Sequence, residues 1–261
     1  MAATKRERES ARKRQAKWEQ RQALARAKRQ RRWRVAAIVA VVALVGTTVV
    51  AALAGQRSAD PEPTASPAGG ACPTSEPTPR EGGTLPSPGA AEGRTWDLSL
   101  QLCAGGDVSD LTLELDGRAA PQAVASFVQL AREGYFDGTQ CHRLTTQGIY
   151  VLQCGDPTAS GTGGPGYEFG PIENAPSDDV YPAGTLAMAR RQDDPESMGS
   201  QFFVVYQDST IPSDAAGGYT VFGTITSGLD AVQAVADAGV ADGALDGSPV
   251  SPVTIEGVET P

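Results

Sequence analysis

The chain has 261 residues, of which 40% are hydrophobic and 20% charged, and a net charge of −9. This length allows one or two domains. The charge is unevenly divided: residues 1–34 hold 14 basic and 3 acidic side chains (+11), and the remainder holds 8 basic and 28 acidic side chains (−20). An acidic surface repels polyanions, so we expect no nucleic-acid partner for the larger part.

The basic segment precedes a long apolar run. Residues 35–54 (VAAIVAVVALVGTTVVAALA) contain no charged side chain, and as a helix they would span roughly 30 Å, the thickness of a membrane core. Positive charge before such a span favours a cytoplasmic N-terminus. A basic tail can also bind nucleic acid or anionic lipid, but we interpret residues 1–34 as a cytoplasmic topology signal.

A cleaved signal peptide is the alternative to a transmembrane helix. Signal peptides have apolar regions of about 7–15 residues, shorter than this one, although Ala52-Leu53-Ala54 fits a cleavage site. Both interpretations export everything after residue 54. We therefore predict a single-pass protein of the cell membrane, with its N-terminus in the cytoplasm and its folded domain outside.

Residues 55–92 have the composition of a linker. They include eight prolines and six glycines, and such a segment buries too little apolar surface to offset its ordering entropy. We predict a disordered stalk. Cys72, within it, is interpreted as a spare thiol or a disulfide partner.

The pattern changes at about residue 93 and predicts one domain over residues 93–261. Strands are indicated by short alternating or apolar runs at 94–103, 110–115, 141–156 (two strands), 185–189, 201–205, 219–225 and 253–258. Helices are indicated at 120–132, where Pro121 suits the first turn, and at 229–238. Short strands with Gly- and Pro-rich turns and only two helices favour a mainly β, closed antiparallel barrel.

The sequence gives little support for a metal site, a serine hydrolase or a phosphate-binding loop. The chain has one histidine, His142, and its four cysteines form no C-x-x-C pair, so we predict no metal site. A hydrolase using His142 with Ser200 or Ser197 lacks an elbow motif. The glycine-rich run at 161–166 has no lysine and no following helix, so we interpret it as a surface loop.

Six short sequence blocks follow one another within residues 94–259. They are CHRL at 141–144, QCGD at 153–156, GTGG at 161–164, GTLAMA at 184–189, GSQFF at 199–203 and VFG at 221–223. This order resembles the cyclophilin family, in particular a membrane-anchored, actinobacterial-like form. The resemblance implies an eight-stranded closed antiparallel barrel capped by two α-helices, peptidyl-prolyl cis-trans isomerase activity on proline-containing polypeptides, and no cofactor.

The resemblance also implies roles for individual residues. Arg143 matches the family's catalytic arginine, and Phe203 matches the aromatic floor of the proline pocket. Gln201 and Gln153 match glutamines that hold the substrate backbone and the arginine. We group Arg143, Gln201 and Phe203 as the catalytic set.

The remaining candidates for substrate binding are carried over by position. The set comprises His142, Tyr150, Val151, Gln153, Ala189, Arg190, Ile211 and Tyr219. Tyr150 and Val151 are placed by counting back from Gln153, because two extra residues separate Arg143 from Gln153 compared with the common spacing. Arg190 stands where many relatives have asparagine.

The resemblance suggests a disulfide as well. Cys141 and Cys154 flank the extra residues and would lie on neighbouring antiparallel strands, so we predict a bond between them outside the membrane. A Cys72–Cys103 bond and free thiols are the alternatives.

Two functions of different classes follow. The first is a monomeric isomerase that accelerates proline-limited folding of exported proteins. The alternative is a non-catalytic chaperone or scaffold module that holds proline-containing segments on the same fold.

Overall fold

The computed structural model describes Cys72 and residues 77–261. The predicted basic tail (1–34), the predicted membrane span (35–54) and the first part of the predicted linker lie outside these residues. Among the described residues, no helix has the length and apolar character needed to cross a membrane.

The domain consists of twelve strands, two α-helices and two short 3-10 turns. The strands are β1 Thr95–Ala104, β2 Asp107–Asp116, β3 Thr139–Gln140, β4 Arg143–Gln147, β5 Ile149–Cys154, β6 Val180–Tyr181, β7 Thr185–Met188, β8 Phe202–Val205, β9 Ser209–Thr210, β10 Val221–Ser227, β11 Asp246–Gly247 and β12 Val253–Glu259. The helices are α1 Pro121–Arg132 and α2 Leu229–Ala238, and the 3-10 turns are Pro88–Ala91 and Ala241–Gly243.

Ten strands form one antiparallel sheet in the order β11-β4-β5-β8-β7-β10-β2-β1-β12-β3. The prediction of a closed eight-stranded barrel is wrong in both respects: the sheet has ten strands, and its end strands β11 and β3 do not pair. The sheet stays open because β3 is only two residues long and pairs with β12 alone. Its one further contact of this kind is an isolated bridge from Gln140 to Asp156, just after β5.

The main core lies inside the curved sheet beneath α1. Phe127 of α1 stacks on Phe136 at 4.8 Å and meets the edge of Phe202 at 5.3 Å between ring centroids. Phe222 completes the aromatic group at 5.2 Å from Phe127. Aromatic pairs at these distances add to the free energy of burial, so they fix α1 over the sheet.

The N-terminus of α1 is satisfied by a distant carboxylate. Its N-cap residue, Ala120, has no side chain able to cap the helix. Glu173 instead accepts hydrogen bonds from the backbone N–H groups of Gln122 and Ala123, each at 3.0 Å. A carboxylate at this end also complements the helix dipole.

Residues 77–92 are part of the folded domain, which corrects the prediction of a disordered linker extending to residue 92. Thr78 N–H donates to Pro157 O at 3.1 Å, and Gly82 N–H donates to Pro165 O at 2.8 Å. Ala91 is fully buried, and its carbonyl accepts a hydrogen bond from Trp96 Nε1 at 2.9 Å. Amino-acid composition could not predict this order, because the order comes from hydrogen bonds to residues far along the chain.

All four cysteines are paired. Cys141 is bonded to Cys154, and Cys72 is bonded to Cys103 in β1. The two pairings that the sequence left as alternatives therefore occur together. One ties the N-terminal segment to the sheet, and the other links the residues flanking Arg143 and Gln153.

Candidate active site

One row of side chains crosses the outer face of the sheet. Arg143 of β4 is the direct partner of Gln153 of β5, which is the partner of Phe203 of β8. Phe203 in turn faces Ala187 of β7, and Ala187 faces Val221 of β10. Directly opposed residues of antiparallel strands point to the same face. The sheet thus places Arg143 two strands, or about 10 Å, from Phe203.

Apolar side chains around Phe203 form a cluster separate from the main core, which we call the outer cluster. Its buried members are Val151, Tyr181, Ala187, Phe203, Val205 and Ile211, and Ile149, Ala189, Tyr219 and Val221 pack against them. Phe203 is 6% exposed, and its ring meets the edge of Tyr219 at 5.4 Å. A small apolar surface of this kind suits a compact apolar ring.

A chain of hydrogen bonds runs from Arg143 along the polar side of this cluster. Arg143 Nη1 donates to Gln153 Oε1 at 3.3 Å, Gln153 Nε2 donates to Gln201 Oε1 at 2.8 Å, and Gln201 Nε2 donates to Gly163 O at 2.8 Å. Each amide therefore has a fixed orientation, because its oxygen accepts from one neighbour and its nitrogen donates to the next.

Asp156 organises the loop that ends this chain of bonds. Its fully buried carboxylate accepts hydrogen bonds from the backbone N–H groups of Thr158 at 2.7 Å, Gly161 at 2.6 Å and Gly163 at 3.1 Å. Burial alone would raise the pKa of Asp156, but a hydrogen bond from the Thr158 hydroxyl at 2.7 Å and these backbone bonds together outweigh it and lower the pKa. A Cβ on Gly163 would clash with Asp156 Oδ1, so the loop requires glycine there.

A cavity of about 750 Å³ lies beside the row. It is lined by the glycine-rich loop, by Gln153 and Gln201, and by the chain around Arg190. The run at 161–166 that was interpreted as a surface loop is therefore one wall of the cavity.

Besides Gln153, which belongs to the hydrogen-bond chain, three predicted binding residues lie outside the outer cluster, and Tyr150 is the first. Its neighbours Ile149 and Val151 pack in the outer cluster, whereas Tyr150 packs against the main core and meets Tyr206 at 6.0 Å. Successive residues of a strand point to opposite faces, so Tyr150 and Val151 cannot both line the pocket.

Arg190 is held as a structural residue. Its side chain is 1% exposed, and it forms a bidentate pair with Asp214 at 2.8 Å for each bond. It also donates to the carbonyls of Gly217, Gly218 and Arg191. All five N–H groups are used, so this guanidinium secures the neighbouring loop and has no donor left for a substrate.

His142 lies just before β4 with its ring beside Gly161, where a Cβ on that glycine would be 3.8 Å from Nε2. Neither ring nitrogen has a hydrogen-bond partner among the described residues. Burial lowers the pKa of His142, which favours the neutral ring. His142 is not among the residues of the outer cluster.

The two serines considered as nucleophiles of a hydrolase do not contact His142. Ser200 Oγ donates to Gly155 O at 2.7 Å, and Ser197 Oγ donates to Asp194 O at 2.9 Å. Neither hydroxyl contacts His142, so the described residues contain no serine–histidine pair of the kind that hydrolysis needs.

The comparisons with known proteins agree with this geometry. Residues 102–260 match the family model described as cyclophilin type peptidyl-prolyl cis-trans isomerase/CLD. The chain belongs to the cyclophilin family.

Curated relatives cover this cyclophilin domain to different extents. The chain is 47% identical over 161 residues to the probable peptidyl-prolyl cis-trans isomerase B of Mycobacterium tuberculosis, covering 57% of this chain and 50% of that protein. It is 40% identical over 124 residues to peptidyl-prolyl cis-trans isomerase B of Bacillus subtilis, covering 48% and 81%. The chain thus spans about half the length of the mycobacterial relative.

Among solved structures, the cyclophilin of Cryptosporidium parvum, crystallised in the presence of the dipeptide Ala-Pro, superposes with a TM-score of 0.52 at 25% identity. The match covers 63% of this chain and 98% of the other. This result supports the cyclophilin fold assigned to the described residues.

Sequence reasoning missed two residues of this cyclophilin site. Asp156 was matched only as part of a motif, and Asp246, which contacts Arg143, was not singled out. Nothing in the sequence near Asp246 signals the contact, because the partner is 103 residues away and β11 has only two residues.

Proposed function

We propose that this cyclophilin is a peptidyl-prolyl cis-trans isomerase. The observation that carries the proposal is the row in which a fixed guanidinium, Arg143, lies on the same face as a buried aromatic floor, Phe203. The outer cluster would take the proline ring, and Gln201 would hold the substrate backbone.

The chemistry needs only these groups. Rotation about a peptide bond has a barrier of about 18–20 kcal/mol that arises from amide resonance. As the bond twists, the proline nitrogen becomes pyramidal and gains a lone pair. A cationic donor near this nitrogen stabilises the twisted state more than either planar isomer, and that difference lowers the barrier. No bond is broken, so the reaction requires no nucleophile.

The cellular setting proposed is outside the membrane. Support comes from the basic segment at 1–34, the apolar run at 35–54 and the two disulfides, because disulfides persist in oxidising compartments. We propose a single-pass anchor with a cytoplasmic N-terminus and an extracytoplasmic monomeric domain. Its clients would be exported polypeptides whose folding waits on X-Pro bonds, which isomerise in tens to hundreds of seconds unaided.

A refolding experiment tests this function. The full chain in detergent is added to a refolding protein whose slow phase is limited by a proline bond. We expect the slow rate to rise in proportion to the chain's concentration. Binding of a proline peptide without any rise in rate would instead identify the non-catalytic module.

Substitution of Phe203 tests the pocket. We expect Phe203→Leu to raise KM for an Ala-Pro peptide several-fold and to change kcat less, because leucine keeps an apolar side chain at this position but is smaller and loses the flat aromatic floor. Steady-state kinetics measure both constants. Phe222→Leu, a matched change in the main core, should leave KM unaltered, and an equal rise in both variants would contradict the assignment of Phe203.

A further inference from the structure

Arg143 is held by a carboxylate that the sequence did not point to. Arg143 Nε donates to Asp246 Oδ1 at 2.7 Å, and Nη2 donates to Asp246 Oδ2 at 2.8 Å. The two residues are 103 positions apart in the chain. A pair of parallel N–H···O bonds fixes the plane of the guanidinium as well as its position.

The backbone holds Asp246 in the place that this contact needs. Asp246 is the direct partner of Thr145 in the β4–β11 pair, which makes it the diagonal neighbour of Arg143 on one face of the sheet. Long side chains bridge such diagonal neighbours. Thr146 N–H also donates to Leu245 O at 2.9 Å, so the residues on both sides of Asp246 are paired to β4.

The loop that carries Asp246 is closed on itself. Ala241 N–H donates to Ser248 O at 2.8 Å, and Val250 N–H donates to Gly239 O at 2.9 Å. These bonds close the loop behind β11. Asp246 is therefore presented by a short, hydrogen-bonded loop.

The arrangement leaves part of the guanidinium free. Of its five N–H groups, two are taken by Asp246 and one by Gln153, so two remain without an acceptor among the described residues. Asp246 bonds to Nε and Nη2 of the guanidinium, whereas Gln153 bonds to Nη1. The free donors are thus held in a constant direction.

Stability does not account for the pair. The side chains of Arg143 and Asp246 are 42% and 54% exposed, and exposed ion pairs add little to the free energy of folding. The hydrogen bond to Asp246 raises the pKa of Arg143, and the same bond lowers the pKa of Asp246. Both groups are therefore charged at neutral pH.

We propose that Asp246 is a positioning residue for Arg143: it orients the guanidinium before the substrate binds. The inference rests on the proposed isomerase function. An arginine side chain loses considerable rotamer freedom when it is fixed in one geometry. Because Asp246 already holds the side chain in one geometry, this entropy cost is not added to the free energy of the transition state.

The test compares two asparagine variants of the full chain. Asp246→Asn removes the charge and one acceptor, whereas Asp242→Asn removes the same charge from an exposed residue of the same loop. Asp242 has a positive φ of 60°, which asparagine tolerates. We expect Asp246→Asn to lower kcat about tenfold with KM unchanged, Asp242→Asn to have no effect, and Asp246→Glu to recover part of the loss.

A second measurement tests the contact between Arg143 and Asp246 independently of activity. Solvent exchange of the Arg143 Nε–H, followed by nitrogen-15 NMR, should be faster in Asp246→Asn than in the wild type. Equal exchange rates, or a kcat for Asp246→Asn equal to or above that of the wild type, would overturn the proposal. An inactive wild-type chain would instead show that the isomerase function itself is wrong.

Discussion

Replacing Arg143 by alanine is expected to lower kcat for X-Pro isomerisation by about 100-fold and to leave KM within about twofold. In the proposed mechanism the guanidinium donates a hydrogen bond to the proline nitrogen only when that nitrogen becomes pyramidal. An interaction made only in the transition state lowers kcat and kcat/KM together when it is removed. A protease-free assay on an Ala-Pro peptide, across a range of peptide concentrations, separates the two constants.

Two further arginine variants make this prediction specific. Arg143→Lys keeps the charge but loses the planar fork that meets both Asp246 and Gln153, so we expect an intermediate kcat. Arg118→Ala removes an exposed arginine from the turn after β2 and should leave kcat unaltered. An Arg143→Ala variant as active as the wild type would remove the arginine from the mechanism.

Replacing Asp156 by asparagine is expected to lower the free energy of unfolding by roughly 3 kcal/mol. The buried carboxylate accepts hydrogen bonds from Thr158, Gly161 and Gly163, and an amide has only one oxygen to accept them. Its NH2 group would face the remaining N–H donors. Because Gly163 O accepts from Gln201, we expect kcat/KM to fall as well. Urea unfolding measures the change in stability.

The pH dependence of this stability contribution follows from the direction in which folding shifts the pKa of Asp156. The folded state lowers the pKa of Asp156, so its contribution to stability is fully present above the unfolded value of about 4. That contribution is lost as the pH falls through the folded pKa. The gap in unfolding free energy between wild type and Asp156→Asn should therefore be constant near neutral pH and shrink in acid. Asp110→Asn, at an exposed strand position, should show no gap.

The longer elements were predictable because their periodicity repeats several times. The helix predicted at 229–238 has those bounds, and α1 begins at Pro121 within the predicted range. The four two-residue strands β3, β6, β9 and β11 were not predicted, because two residues contain no period. β3 and β11 form the ends of the sheet. The closed barrel was predicted from the short strands and from the family resemblance, and neither of these indicates where the sheet ends.

The site was only partly predictable for a related reason. Motif spacing singled out Arg143, Gln153, Gln201 and Phe203 as candidates, and the strand register places Arg143, Gln153 and Phe203 in one row. Counting positions across the extra residues could not decide between Tyr150 and its neighbours, because a strand changes face at every residue. The contact of Asp246 with Arg143 depends on the β4–β11 pair, which no local pattern signals.

The most direct test of the central claim is two-dimensional exchange NMR on an Ala-Pro peptide at equilibrium with a small amount of the full chain. The method reports exchange between cis and trans isomers without a coupled protease. The proposal predicts exchange cross-peaks on a sub-second timescale with the wild type and a marked loss of them with Arg143→Ala. Exchange no faster than that of the free peptide, in the presence of a wild-type chain that binds it, would contradict the assignment of isomerase activity.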